Sequence, residues 1–256
     1  MKLPAKLASL AGPVVRPVVA RLGRLRRLGR PDPAVALAAA TGTPIERALA
    51  ASPALSEELW PRLVGSDVVP IRSVLVAAPQ RSSGATSVAA ASALRLAAHL
   101  REPIGLVELD FERPRLAALL GEDAGVGTSE CLHGQADAGA SAVRSSRYEH
   151  LHLLTGGAAR PLVPGVFATA AFGRLRQELE SRCRTTIYIA PPLATCHDMR
   201  LVAGKVDGVV LVVRAGETTK QAVAEALEML DECGARLVGT VLSGANSGVP
   251  FVSEAA

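Results

Sequence analysis

The chain has 256 residues, about half of them apolar and only 3% aromatic. That length buries a full core, most simply one α/β domain with an appendage, and the composition requires a core of Ala, Val and Leu, as suits helices packed closely on a parallel sheet. The net charge of +4 is unevenly placed: residues 1–30 carry Lys2, Lys6, Arg16, Arg21, Arg24, Arg26, Arg27 and Arg30 and no acid, so they hold +8 and residues 31–256 sum to −4. No uninterrupted apolar run reaches the ~18 residues of a membrane span. Residues 1–30 are not expected to be a signal peptide, because Pro13, Arg16 and Pro17 break their apolar part and arginines follow it.

In chain order, residues 1–30 read as a basic arm, with Leu22, Leu25 and Leu28 forming a narrow stripe among arginines if the segment is helical. Residues 31–70 read as a helical N-terminal extension, broken by Gly42-Thr43-Pro44 and Ser52-Pro53. From Ile71 the pattern changes to alternating strand and helix, which sets the third unit at 71–256. Strands are expected at Ser73–Ala78, Ile104–Leu109, Leu151–Leu154, Thr186–Ala190, Val209–Val213 and Leu237–Leu242. Helices are expected at Ala85–Leu100, Pro114–Leu120, Val126–His133, Phe167–Ser181, Asp198–Lys205 and Thr219–Cys233. Such alternation implies right-handed βαβ crossovers, a mostly parallel sheet and helices on both of its faces. Cys131, Cys183, Cys196 and Cys233 show no metal spacing and read as reduced cytosolic thiols. His150 and His152 are expected to share one face of a short strand, with no third ligand nearby, so no metal site is expected.

Three segments carry candidate chemistry. The first is the phosphate-loop-like run from Val74 to Ser87, in which an apolar strand, a small polar loop and an Ala-rich helix follow one another. A helix N-terminus behind such a loop is a backbone cradle for phosphate. Against the pattern GxxxxGK(S/T), Gly84 and Thr86 hold the second glycine and the hydroxyl, but Ala85 stands where the lysine belongs and Pro79 where the first glycine belongs. The candidate nucleotide-binding residues are Ser82, Ser83, Gly84, Ala85, Thr86 and Ser87, with Arg81 able to supply charge from the side. The second segment is Glu108-Leu-Asp110-Phe-Glu-Arg113-Pro114, acids at a strand end that hold Mg²⁺ in some phosphate sites and merely cap a turn in others. The third is Tyr188-Ile-Ala190-Pro191-Pro192, followed by His197-Asp198 and by Val206-Asp-Gly-Val-Val-Leu-Val-Val-Arg214-Ala-Gly216, with Asp198 as a further candidate.

Taken in order, these segments resemble the cytoplasmic domain of bacterial tyrosine autokinases of capsule and exopolysaccharide assembly, within the MinD/ParA group of P-loop ATPases. The resemblance covers roughly residues 71–247 and includes the segment Gly125–Gly134 and the stretch Leu151–Pro164. It implies a P-loop NTPase-like α/β fold. Its departures concern activity. The family has Lys where Ala85 stands, and Asp at the end of the third strand where Ile189 and Ala190 precede Pro191. The first acid of the second segment is usually Asp and here is Glu108, while Asp110 matches; Ser243 replaces an Asn that helps to read adenine. The ExxRxxR helix is broken at Trp60, three residues after Glu57, and the tail 248–256 lacks the acceptor tyrosine cluster, leaving only Tyr148 and Tyr188.

The resemblance with these departures implies a catalytically degenerate subunit with no catalytic residues, Glu108 and Asp110 being remnant acids, and with no metal ligands. No cofactor is required, ATP and Mg²⁺ being the candidates. The implied partner is an inner-membrane polysaccharide co-polymerase of the chain-length-determinant type, with the arm available to an anionic membrane surface and a homo-oligomer open. Nucleic acid is disfavoured because no aromatics are interleaved with the arm's arginines. The implied location is cytoplasmic and peripheral at the inner membrane. Two alternatives stay open: an active tyrosine kinase using atypical residues, and a MinD/ParA-like positioning ATPase.

Overall fold

A computed structural model describes residues 71–137, 143–144, 147–244 and 251–254. The basic arm and the helical extension lie outside the described residues. The core sheet is made of β1 (Ser73–Ala77), β2 (Ile104–Glu108), β4 (Leu151–Leu154), β5 (Thr185–Ile189), β6 (Gly208–Arg214) and β7 (Leu237–Ser243), with β3 (Val143–Arg144) and β8 (Phe251–Glu254) at its edges. The order is β3-β4-β2-β5-β1-β6-β7-β8. The inner six strands run parallel, while β3 on β4 and β8 on β7 are antiparallel.

β1 lies in the middle of this sheet, and all five of its residues are buried. Its alternation serves two cores. Val74 and Val76 face the first, with α1 (Ala85–Leu100) and α2 (Leu116–Leu120); Leu75 and Ala77 face the second. The second core holds side chains of α3 (Thr128–Leu132), α4 (Ala170–Arg182), α5 (Met199–Ala203) and α6 (Lys220–Glu232). Helices therefore cover both faces, as the alternation requires. Ala89, Ala90, Ala91, Ala93 and Ala97 give α1 a nearly smooth buried face, which brings the helix close to the strands. The second core is heavier at the end near the strand C-termini, where Phe111, Phe167 and Phe172 meet with ring centroids 6.2 and 5.4 Å apart.

From residue 71 on, every expected strand and helix is present, most with ends shifted by a few residues. α2 starts at Leu116 and not at Pro114, because the first helical amides are held by a buried carboxylate described below. The expected helix from Phe167 is a short 3₁₀ turn, Val166–Ala168, then α4, whose first turn is capped by Thr169 Oγ1 accepting from Phe172 N at 3.4 Å. The edge strands β3 and β8 were not expected. His150 and His152 do not share a strand face: β4 begins at Leu151, and His150 sits before it with φ of 61°. Cys131, Cys183, Cys196 and Cys233 form no disulfide.

The loop ends of β4 and α3 meet backbone to backbone. A Cβ at Gly127 would overlap Gly157 N and the Thr155 carbonyl oxygen, so only glycine lets Thr128 N reach Thr155 O at 2.8 Å and Ser129 N reach Gly156 O at 3.1 Å. Gly127→Ala should lower the unfolding free energy by on the order of 3 kcal/mol, read from urea midpoints. Gly173→Ala, on α4 with nothing within 4 Å of its added carbon, should instead raise it by up to about 1 kcal/mol. Equal midpoints for the two variants would refute this contact as the reason for the glycine.

Candidate functional site

Strand β1 delivers the phosphate-type loop to the C-terminal edge of the sheet. Ser82 has φ of 65° and Gly84 has φ of 85°, and Gly84 caps the 16-residue α1 without a side-chain hydrogen bond. The first turn of α1 contains no acid. Ala85, Thr86 and Ser87 form that turn and are half-buried, and the first amides of a helix have no intrahelical partner.

The rest of the loop is satisfied by protein groups. Ser83 is buried and donates from Oγ to Gln80 O at 2.9 Å. Ser243 Oγ, from the end of β7, donates to Ser83 O at 2.6 Å. Arg214 Nη1, from the end of β6, donates to Ser82 O at 2.9 Å, and its Nε pairs with Glu217 at 2.8 Å. Leu193 N and Ala194 N, just past the double proline, donate to Ala78 O and Pro79 O at 3.0 and 3.1 Å. The roles of Arg214 and Ser243 in holding the loop were not legible in the sequence. Their only signal is that each ends a strand on the same edge as β1.

The acids of the second segment separate into two tasks. Glu108 is 1% exposed and points inward. Its Oε1 accepts from Arg115 N at 2.8 Å and Leu116 N at 3.1 Å, and its Oε2 accepts from Gly156 N at 2.9 Å. It caps α2 and ties the exit of β4 to the exit of β2. Burial pushes its carboxyl up to about 7, against the pull of those three amides. Asp110 faces the phosphate loop. Arg81 forks across it, with Nη1 3.4 Å from Asp110 Oδ2 and Nη2 3.2 Å from Glu112 Oε2. Burial holds the Asp110 carboxyl above its usual range, and the Arg81 guanidinium draws it back. Glu112 Oε1 accepts from Leu162 N at 3.2 Å, so the acid pair is also fixed to the segment after β4.

The remaining candidates lie elsewhere. Ile189 is 1% exposed within the first core, beside Val76 in register, and Ala190 is buried in the second. Both positions before the double proline are therefore apolar and dry. Asp198 accepts from Gly165 N, which pins the turn ahead of the 3₁₀ segment. Tyr188 is fully buried, its hydroxyl donating to Glu180 Oε1 at 3.1 Å, while Tyr148 is half-buried at the edge of the first core. Glu130, which sequence reasoning passed over, accepts from Gly127 N at 2.9 Å and Ala158 N at 3.2 Å. Burial disfavours its charge, but those amides and Ser129 outweigh burial and hold its carboxyl below the usual range.

The loop backbone and the start of α1 fit a phosphate. A magnesium ion does not fit: Arg81 already occupies the acids that face the loop, and Ile189 leaves no oxygen at the end of β5. Among the described residues no group of three or more His, Cys, Asp or Glu is placed to hold a metal.

No protein-family profile matches the chain. It is similar to the tyrosine-protein kinase YwqD of Bacillus subtilis (strain 168), at 25% identity over 174 residues, 68% of this chain and 73% of that protein. The crystal structure of the VpsO kinase domain covers 78% of this chain and 97% of its own, with a TM-score of 0.69 and 24% identity. Cobyrinic acid a,c-diamide synthase from Mycobacterium smegmatis, with bound ATP analog and magnesium, covers 70% of this chain and 78% of its own, with a TM-score of 0.55 and 20% identity. The chain is thus a sequence relative of bacterial tyrosine-protein kinases with a P-loop NTPase-like fold and a mostly parallel sheet.

The buried carboxylate at the centre of this arrangement has a titration signature. Folding raises the Glu108 pKa from 4.5 to about 7, so the folded state holds the extra proton between those values. The stability this contributes is full below pH 4.5 and is lost as pH rises through 7. Between pH 5 and 8 it amounts to on the order of 3 kcal/mol. Urea denaturation should show this loss in the native protein and a flatter profile in Glu108→Gln. An unchanged slope in the variant would show that another group carries the pH dependence.

Proposed function

We propose that this protein is a catalytically degenerate, tyrosine-kinase-like subunit that regulates or scaffolds a membrane exopolysaccharide polymerisation or export complex. The observation that carries the reading is the pairing of Ala85 at the first position of α1 with Ile189 sealed in the core at the end of β5. The first removes the cation that would neutralise phosphate charge, and the second removes the acid that would manage a metal. Losing one group that stabilises transition-state charge typically costs about 10²–10³ in rate, so two such losses leave several orders of magnitude to make up. The likeness to tyrosine autokinases of capsule assembly supports the setting: the cytoplasmic face of the inner membrane, beside a co-polymerase of the chain-length-determinant type. Among the described residues no helix is long and apolar enough to cross a membrane, which is compatible with a partner supplying the anchor.

A second reading, an active tyrosine kinase, draws on the relatives' kinase names and on Asp110 facing the loop. Labelled ATP with Mg²⁺ separates the two. The expected outcome is an unlabelled protein and intact nucleotide, in keeping with a Tyr188 that has no exposed surface. Phosphorylation of Tyr148 that disappears in Asp110→Asn would establish the active reading instead.

The arm at residues 1–30 is assigned to recruitment. It holds +8 against −4 in the rest of the chain, and each Lys or Arg near an anionic surface contributes ~1 kcal/mol. Removing these residues should shift thermal unfolding by no more than about two degrees, abolish binding to phosphatidylserine-containing liposomes, and be mimicked by added salt. A truncated protein that still binds the vesicles, or that unfolds, would contradict the assignment.

A further inference from the structure

The acids facing the phosphate loop are already taken. Arg81 reaches Asp110 and Glu112, 29 and 31 residues further along the chain, through both of its terminal nitrogens. A planar fork with two separate donors matches two carboxylates in a way that a lysine ammonium does not. All three side chains are a third exposed or close to it at most, at 31%, 17% and 36%, so solvent screens the contact only in part. Asp110 contributes one oxygen, and its Oδ1 is buried with no hydrogen-bond partner. Glu112 contributes one oxygen to Arg81 and the other to Leu162 N. The arginine comes from within the loop, between Gln80 and the positive-φ Ser82, so the pairing fixes the loop as well as the acids.

Resting on the degenerate-site reading above, we propose that Arg81 is an internal latch that stands in the place of the metal. Its guanidinium neutralises Asp110 and Glu112, holds the loop closed onto the exit of β2, and removes the acids from any magnesium–polyphosphate that enters. The loss of the loop lysine and the gain of the latch then form one device. Without the lysine the loop lacks a cation for phosphate, and the cation it does hold is spent on its own acids. Restoring the lysine alone leaves those acids engaged. Releasing the latch alone leaves two acids facing the phosphate position with nothing to balance them. The two changes must therefore act together, and that non-additivity marks a latch, where two independent defects would simply multiply.

The test is a double-mutant cycle on the full chain with Ala85→Lys, Arg81→Ala and the pair, each titrated with ATP and Mg²⁺ by calorimetry. Thermal midpoints serve as the folding control. The pair should bind at least tenfold more tightly than the product of the single effects predicts. A pair that binds no better than that product, or an Ala85→Lys variant that alone binds in the low micromolar range, overturns the latch. Hydrogen exchange of the Gln80–Ser83 amides without nucleotide provides an independent readout. Arg81→Ala should speed it several-fold, and Asp110→Asn combined with Glu112→Gln should reproduce that rate. Unchanged exchange in both variants overturns the latch as well. Should the unaltered protein prove to hydrolyse ATP, the degenerate reading fails, and the exchange result still decides the latch by itself.

Discussion

The C-terminal edge of the sheet is organised by one buried carboxylate. Glu108 ends β2 inside the protein, and a carboxylate there is tolerable only if backbone amides surround it. Three do: Arg115, Leu116 and Gly156. They come from the loops that follow two neighbouring strands, β2 and β4, so one side chain ties the start of α2 to the exit of β4. The exit of β4 in turn receives the Gly127 backbone, and α3 follows from that contact. Glu130 repeats the device one layer out, its carboxylate bonded to amides on both sides of the glycine contact. The two carboxylates differ in burial, which is why their pKa values move in opposite directions: amides outweigh desolvation at Glu130 and fall short of it at Glu108.

That division changes how the acid-x-acid segment is understood. On sequence alone Glu108 and Asp110 are both remnant acids, able either to hold Mg²⁺ or to cap a turn, with only Asp110 matching the family pattern. In the folded chain Glu108 is the last residue of β2 and is buried, whereas Asp110 lies two residues past the strand end, where the chain has left the sheet and its carboxylate meets Arg81 of the loop. An extra methylene in Glu over Asp lets the first carboxylate reach the amides of α2. Asp110 and Glu112 are held by Arg81, and Glu112 also holds the segment after β4. The carboxylates of the second segment therefore join loops, although Asp110 Oδ1 is buried with no hydrogen-bond partner.

The frame was legible because periodicity and punctuation agreed. Val74 to Ala78 is a continuous apolar run ended by Pro79, and a strand buried on both faces has that form. The alanines of α1 and the threonines capping α4 and α6 are local signals that survive in the fold. β3 and β8 were missed because they are two and four residues long and exist only through antiparallel pairing with β4 and β7, which no local pattern announces. In the site, sequence located the loop and both acids but not their partners. Arg81 with Asp110, Arg214 with Ser82 and Ser243 with Ser83 span 29, 132 and 160 residues, and only the sheet order brings them together. Asp198, a further candidate after the double proline, has a partner that sequence does not announce: its carboxylate accepts from Gly165 N.

In an occupied phosphate loop the bound phosphate satisfies backbone amides, so a loop with Ala85 in place of lysine needs another source of its shape. Here the loop is held by its carbonyls. Ala78, Pro79, Gln80, Ser82 and Ser83 each offer a carbonyl oxygen to a donor from the protein, and four of those donors come from the ends of β5, β6 and β7. A phosphate would engage the amides and leave every one of these bonds intact. The shape of the loop is thus independent of the ligand its amides were suited to, and α1 needs no ligand to pack, because its buried face is alanine against the first core. Under those conditions the lysine and the strand-end acid are free to vary without cost to folding.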